Sequence, residues 1–151
     1  MYALMGATDK KDTVVFGPEW ATLIFMKGFA LIDLGRGDEA KAYLERALAL
    51  SPEHPHYLSE LAEWYKARKD WAHAYDLFQR ASDNAIIAPK ADFDIEKGRA
   101  LRGMGYVLTE QGKLDEAEKR YRECVKLNPH DEAAKGELEY IRCLKSKSPA
   151  S

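Results

Sequence analysis

The sequence predicts an all-α protein of about seven helices, and three observations carry that prediction. Apolar residues recur at i, i+3, i+4 and i+7 through segments rich in Ala, Leu, Glu, Lys and Arg. Period-2 alternation is absent, and the only β-branched cluster is Thr13-Val14-Val15, just before Phe16. One helical phrase is also written more than once. LGRGDEAKAYLERALALSP at residues 34–52 returns as QGKLDEAEKRYRECVKLNP at residues 111–129.

Set in register on Pro52 and Pro129, the two stretches extend upstream. Ile24, Lys27, Gly28 and Leu31 correspond to Leu101, Met104, Gly105 and Leu108, and Ala40, Leu44 and Ala47 to Ala117, Tyr121 and Cys124. A third copy lies between them, with Leu58, Leu61, Ala62 and Tyr65 followed by Ala74, Phe78 and Ala81. Each copy is a pair of helices with a small residue on either side of the crossing. Gly28, Ala62 and Gly105 serve the first helices, and Ala40, Ala74 and Ala117 the second. One such hairpin is too thin to bury both of its faces, so neighbours must stack. The pattern resembles the tetratricopeptide repeat, whose period is about 34 residues, and the resemblance runs from residue 18 to about residue 145. It implies a right-handed α-α superhelix, a tetratricopeptide solenoid, that binds a peptide or helix on its concave face.

The elements follow in order. Residues 1–17 form a leader. Residues 18–145 hold repeats at about 21–54, 55–88 and 98–131. The first helix, 18–34, is apolar nearly all round. Pro52 and Pro129 lie 77 residues apart, nine more than two periods, and the surplus falls at 89–97. Pro89 is expected near the first turn of a helix that runs unbroken to about Gln111, which extends the first helix of repeat three. Asp131 is a natural N-cap for a capping helix at 131–145, where Ala134, Leu138 and Ile141 make an apolar stripe. Residues 146–151 are expected to be disordered.

Composition excludes several functions. The net charge of −2 argues against a nucleic-acid partner, which selects a clustered basic surface. No apolar run approaches the roughly 20 residues of a membrane span. The opening MYALMGATDKKD shows no basic stretch leading into an apolar one, so the cytoplasm is the expected compartment. The periplasm is the alternative if a signal has been removed. Cys124 and Cys143 read as reduced thiols, being too few for a disulfide framework. His54, His56, His73 and His130 lack a metal-type ligand set, so no metal and no cofactor are expected. Gly98, Gly103 and Gly105 lie within a helix and lack the Lys-Ser/Thr of a phosphate loop. Arg36-Gly37-Asp38 reads as the turn between two helices. No catalytic residues are expected, and the chain is not read as an enzyme.

What remains is a binding surface. The resemblance places Phe25, Phe29 and Ile32 of repeat one on the groove, with His56, Ser59, Glu63 and Lys66 of repeat two and Arg99, Arg102 and Tyr106 of repeat three. Tetratricopeptide domains that clamp the acidic tails of heat-shock chaperones use Lys and Asn at paired groove positions. Phe25 and Phe29 stand there in this chain, so that ligand is not expected. The Phe25 stripe needs a cover. Three stay open: the chain's own Thr13–Phe16, a second copy meeting the helix 18–34 face in a homodimer, or a foreign partner. The expected function is therefore a non-catalytic interaction module with a protein or peptide partner. The alternative is a small dimeric chaperone or assembly factor resembling the secretion chaperones.

Overall fold

The computed structural model describes residues 17–147. Among them stand seven α-helices: α1 (Pro18–Asp33), α2 (Gly37–Leu50), α3 (Pro55–Ala67), α4 (Trp71–Asn84), α5 (Phe93–Glu110), α6 (Leu114–Leu127) and α7 (Glu132–Lys147). A 3-10 turn, Ala85–Ile87, follows α4. The Thr13–Phe16 segment considered above as a cover lies outside the described residues.

The helices pair as hairpins: α1 with α2, α3 with α4, and α5 with α6. Beyond its own hairpin, α5 packs on α4 and α3, and α7 packs on α6. The chain divides after Pro52 into two compact units. In the first, Ala21, Phe25, Leu31, Ala40, Leu44 and Ala47 are buried. In the second, Leu101, Leu108, Ala117, Tyr121, Cys124, Ala134 and Ile141 form one apolar cluster, with Tyr75, Leu114, Val125 and Leu138 packed against it.

The small residues stand at tight crossings. A Cβ on Gly28 would lie 3.1 Å from Tyr43 Cβ and 3.3 Å from the Ala40 carbonyl oxygen. A Cβ on Gly105 would meet the Tyr121 ring at 2.7 Å. Ala62, Ala74 and Ala117 have no exposed surface at all. Gly103 serves a crossing the repeat pattern did not mark, since a Cβ there would lie 2.5 Å from the Phe78 ring of α4.

Each hairpin turns through one left-handed residue. Gly35 (φ 72°) and Gly112 (φ 73°) hold it in repeats one and three, and Lys69 (φ 59°) holds it in repeat two. The closing bonds match: Arg36 N donates to the Leu31 carbonyl at 2.8 Å, Asp70 N to Tyr65 at 3.1 Å, and Lys113 N to Leu108 at 2.9 Å. These bonds satisfy helix carbonyls that would otherwise be orphaned. Arg36 lies in the first of these turns, while Gly37 and Asp38 open α2.

The insertion divides where a single helical extension was expected. Only residues from Phe93 onward belong to α5. Ala88 is extended (φ −66°, ψ 154°), as the ring of a following proline requires. The Pro89 carbonyl then accepts from Asp92 N at 2.8 Å and from Phe93 N at 3.1 Å. Pro89 therefore organises the approach to α5 and takes no part in its first turn. At the other end, Asp131 Oδ1 accepts from Ala134 N at 3.0 Å and caps α7.

Candidate functional site

Five of the repeat-two and repeat-three side chains expected on the groove, Glu63, Lys66, Arg99, Arg102 and Tyr106, meet within the unit Glu53–Ser151. A cleft of about 250 Å³ is lined by Glu63 and Lys66 of α3, by Arg99, Arg102, Gly103 and Tyr106 of α5, and by Ala133 and Glu137 of α7. The repeat pattern sets the α3 and α5 contributions. Positions displaced from the buried Leu58, Leu61, Leu101 and Met104 must face away from the hairpin interior.

Tyr106 is 39% exposed and forms the platform of the cleft. Lys66 Nζ sits 4.9 Å from the centre of its ring, within cation–π range. Every cation of the cleft also has a carboxylate. Lys66 Nζ lies 2.5 Å from Glu63 Oε2, Arg99 Nη1 donates to Glu60 Oε1 at 2.5 Å, and Arg102 Nη1 donates to Asp131 Oδ2 at 2.5 Å. Asp131 is buried and Glu60 is mostly so, which shields the carboxylate side of both arginine pairs, while Glu63, the partner of Lys66, is the most exposed of the three carboxylates.

His56 stands beside this cleft and does not line it. Its Nδ1 lies 3.0 Å from Glu96 Oε1 and 3.2 Å from Arg99 Nη1. Arg99 already donates to Glu60, so an Nδ1–H directed at Glu96 satisfies both neighbours. Ser59 is fully buried and its Oγ has no hydrogen-bond partner; its side chain lies in the core instead of on the groove surface. The reason is its place on α3, where neighbouring Tyr57, Leu58, Leu61 and Ala62 are all buried as well.

On α1, Phe25 is also buried, 8% exposed, so it cannot offer the open stripe that helix 18–34 suggested. Its ring centre is 6.2 Å from that of Phe29. Phe29 is 42% exposed and Ile32 is half-buried. The exposed apolar face of α1 is carried by Leu23 and Met26, with Leu34 just beyond its end.

Sequence reasoning missed the two α7 contributors, Ala133 and Glu137, because capping was the only role it gave that helix. It also missed the Arg102–Asp131 pair, whose partners are 29 residues apart. Among the described residues, no group of three or more His, Cys, Asp or Glu could hold a metal ion. No described helix is long and apolar enough to cross a membrane.

Paired helices and tight small-residue crossings define a helical-hairpin repeat protein. Residues 21–54 and 56–129 match family models described as tetratricopeptide repeat. The chain belongs to the tetratricopeptide repeat family, with that family's all-α solenoid fold. Among solved structures, the first such domain of human RPAP3 is 25% identical, with a TM-score of 0.72 over 89% of this chain and 100% of that one. The first such domain of Spaghetti (RPAP3), bound to an HSP90 peptide, is 22% identical, with a TM-score of 0.74 over 87% of this chain and 100% of that one. The N-terminal domain of stress-induced protein-1 from C. elegans is 16% identical, with a TM-score of 0.72 over 83% of this chain and 96% of that one. No curated protein sequence matches the chain significantly.

Proposed function

We propose that the chain is a non-catalytic interaction module that holds a peptide or helix of a partner protein in the cleft between α3, α5 and α7. The observation that carries this reading is the convergence of Lys66, Arg99, Arg102 and Tyr106 from two repeats on one cleft. The RPAP3 domains with HSP90 and HSP70 peptides are the precedent for a peptide ligand on this fold. The ligand here differs from a chaperone tail, because Phe25 and Phe29 stand where that clamp needs Lys and Asn. An apolar or aromatic anchor over Tyr106 with an acidic flank suits the cleft. Glu63 is exposed enough for a ligand carboxylate to compete with it for Lys66, and the Arg102 guanidinium can share a second carboxylate.

The test is a peptide selected against the full chain from a displayed random library. Its affinity is then measured on wild type, Tyr106→Ala and Lys66→Glu. A loss of about tenfold or more is expected in each. Equal affinity across the three proteins overturns the reading.

A second reading is favoured by α1. Leu23 and Met26, each 58% exposed, and Leu34, 70% exposed, leave an apolar face on the first unit. Such a face marks an interaction surface, and a second copy of the chain in a homodimer would cover it. Light scattering that reports a dimer for wild type and a monomer for Met26→Asp supports this reading. A wild-type monomer removes it.

A further inference from the structure

The insertion at 89–97 sets an exposed apolar residue on the same helix face as Tyr106. Leu58 of α3 and Leu101 of α5 are matched repeat positions, so Pro55, the first residue of α3, corresponds to Gly98. Helix α5 begins five residues before Gly98, at Phe93. Ile95 lies in that added stretch, has no counterpart in α3, and is 61% exposed. On α5, Ile95, Arg99, Arg102 and Tyr106 recur at i, i+4, i+7 and i+11, which puts them on one face of the helix.

Ile95 lines a cavity of about 320 Å³. Ile95 and Leu127 give that cavity its large apolar side chains, and Asp94 and Asn128 give it polar ones. Gly98 lies among them. A Cβ there would stand 3.4 Å from Arg102 Nη1 and 4.0 Å from Leu127 Cδ2, so the space a side chain would take belongs to the cavity. Arg102 lines this cavity and the Tyr106 cleft alike. The two spaces therefore adjoin at one guanidinium. Asp131 engages Arg102 through Nη1, yet the Arg102 side chain is 39% exposed, which leaves N–H groups for a ligand carboxylate.

This layout selects among ligands. A helix laid in a groove needs a continuous apolar track, whereas an extended chain seats separate side chains in separate pockets. Here the two apolar places are separate and a cation stands between them. A rise of about 1.5 Å per residue puts Ile95 about 16 Å and Gly98 about 12 Å from Tyr106 along α5. An extended chain advances about 3.3 Å per residue and covers that gap in about four residues. Its alternate side chains share one face, so the residue midway points at the same wall as the two anchors. The Asp94 carboxylate repels a second acidic side chain from the Ile95 cavity, so the anchor there is uncharged.

We propose that the Ile95 cavity is a second anchor site for an extended acidic segment of the partner protein, a proposal that rests on the cleft reading above. An aliphatic side chain of the ligand packs on Ile95 and Leu127. A carboxylate two residues along meets Arg102. The apolar or aromatic side chain two residues further lies over Tyr106. The added start of α5 thus gives the cleft a length requirement that the repeat alone does not supply.

The experiment titrates the full chain with the end-blocked peptide Leu-Ser-Glu-Ser-Phe and, for the opposite chain direction, Phe-Ser-Glu-Ser-Leu. The tighter of the two is the parent. Alanine in place of its leucine should weaken binding about tenfold. Ile95→Ala should weaken the parent by the same factor and the alanine peptide hardly at all, because both changes remove one contact. A loss on Tyr106→Ala with none on Ile95→Ala overturns the second anchor and leaves the cleft reading standing. Equal losses of parent and alanine peptide on Ile95→Ala also overturn it, as does a shortened Leu-Glu-Phe that binds as tightly as the parent. Absent binding of both peptides overturns it too, while the library selection decides the cleft reading separately. Should Ile95→Ala lower the melting temperature, the Ile95 methyl resonance of wild type decides instead. It must shift with the parent and not with the alanine peptide, and any other pattern overturns the proposal.

Discussion

Lys69 holds the left-handed turn that glycine holds at positions 35 and 112. A side chain there costs about 1–2 kcal/mol. Lys69→Gly should therefore stabilise the protein by about 0.5–1 kcal/mol, after the unfolded chain's gain in freedom is subtracted. A urea midpoint at or below that of wild type would contradict this. Two α5 and α7 glycines should respond in opposite directions. Gly103→Ala drives a methyl against the fully buried Phe78 ring and should cost about 1–2 kcal/mol net of helix propensity. Gly136, with nothing within 4 Å of its added Cβ, should gain about 0.5–1 kcal/mol as alanine. The thiols differ in the same spirit. Burial pushes Cys124 up to about 12, while Cys143 is exposed. A thiol reagent at neutral pH should label one cysteine per folded chain and both after denaturation.

At the scale of elements, α3 and α5 are tied at their N-terminal ends by the His56–Glu96 contact and the Arg99–Glu60 bond. Lys97 adds a bond from Nζ to the Ser82 carbonyl near the end of α4 at 2.9 Å. This places a pH response at the start of α3. His54 is depressed from its ordinary value of 6.5, so the unfolded chain binds the proton more tightly than the folded one. Stability rises with pH through that window and is lost as pH falls below it. Glu96, held below its ordinary 4.5, adds stability that is present above that value and lost as acid protonates it. Urea midpoints should therefore fall between about pH 7.5 and pH 5, and His54→Gln should flatten that fall. An equally steep decline in the variant would show that His54 is not its source. The insertion is the element least legible beforehand. Its two apolar residues favoured a continuous helix, but the extended Ala88 imposed by Pro89 and the turn closed on the Pro89 carbonyl won.

Taken whole, the chain divides after Pro52 into two compact units, each with its own buried residues. A fragment of residues 53–151 should fold alone, with helical circular dichroism and a cooperative melt, because its apolar cluster from Leu101 to Ile141 lies entirely within it. Within that unit α7 does more than cap. Ile141 is fully buried against the α5–α6 core, and Ala133 and Glu137 line the cleft. Ile141→Ala should cost about 2–5 kcal/mol, and Glu137→Lys should alter ligand affinity without altering the melt. A fragment that is unfolded without residues 1–52 would show that the second unit's core is not sufficient.

The helices, the three hairpins and the small residues at their crossings were legible from periodicity, because a 3.6-residue repeat and a close approach of two backbones each leave a local signature. The resemblance to the tetratricopeptide pattern, and not periodicity, singled out Glu63, Lys66, Arg99, Arg102 and Tyr106, which line one cleft. Only the tertiary structure decided that Phe25 and Ser59 are buried, that Asp131 takes Arg102 as its partner, and that His54 and Glu96 face one cavity. Those outcomes depend on groups distant in the chain and on how far neighbouring elements close over them, and no spacing along a sequence encodes that distance.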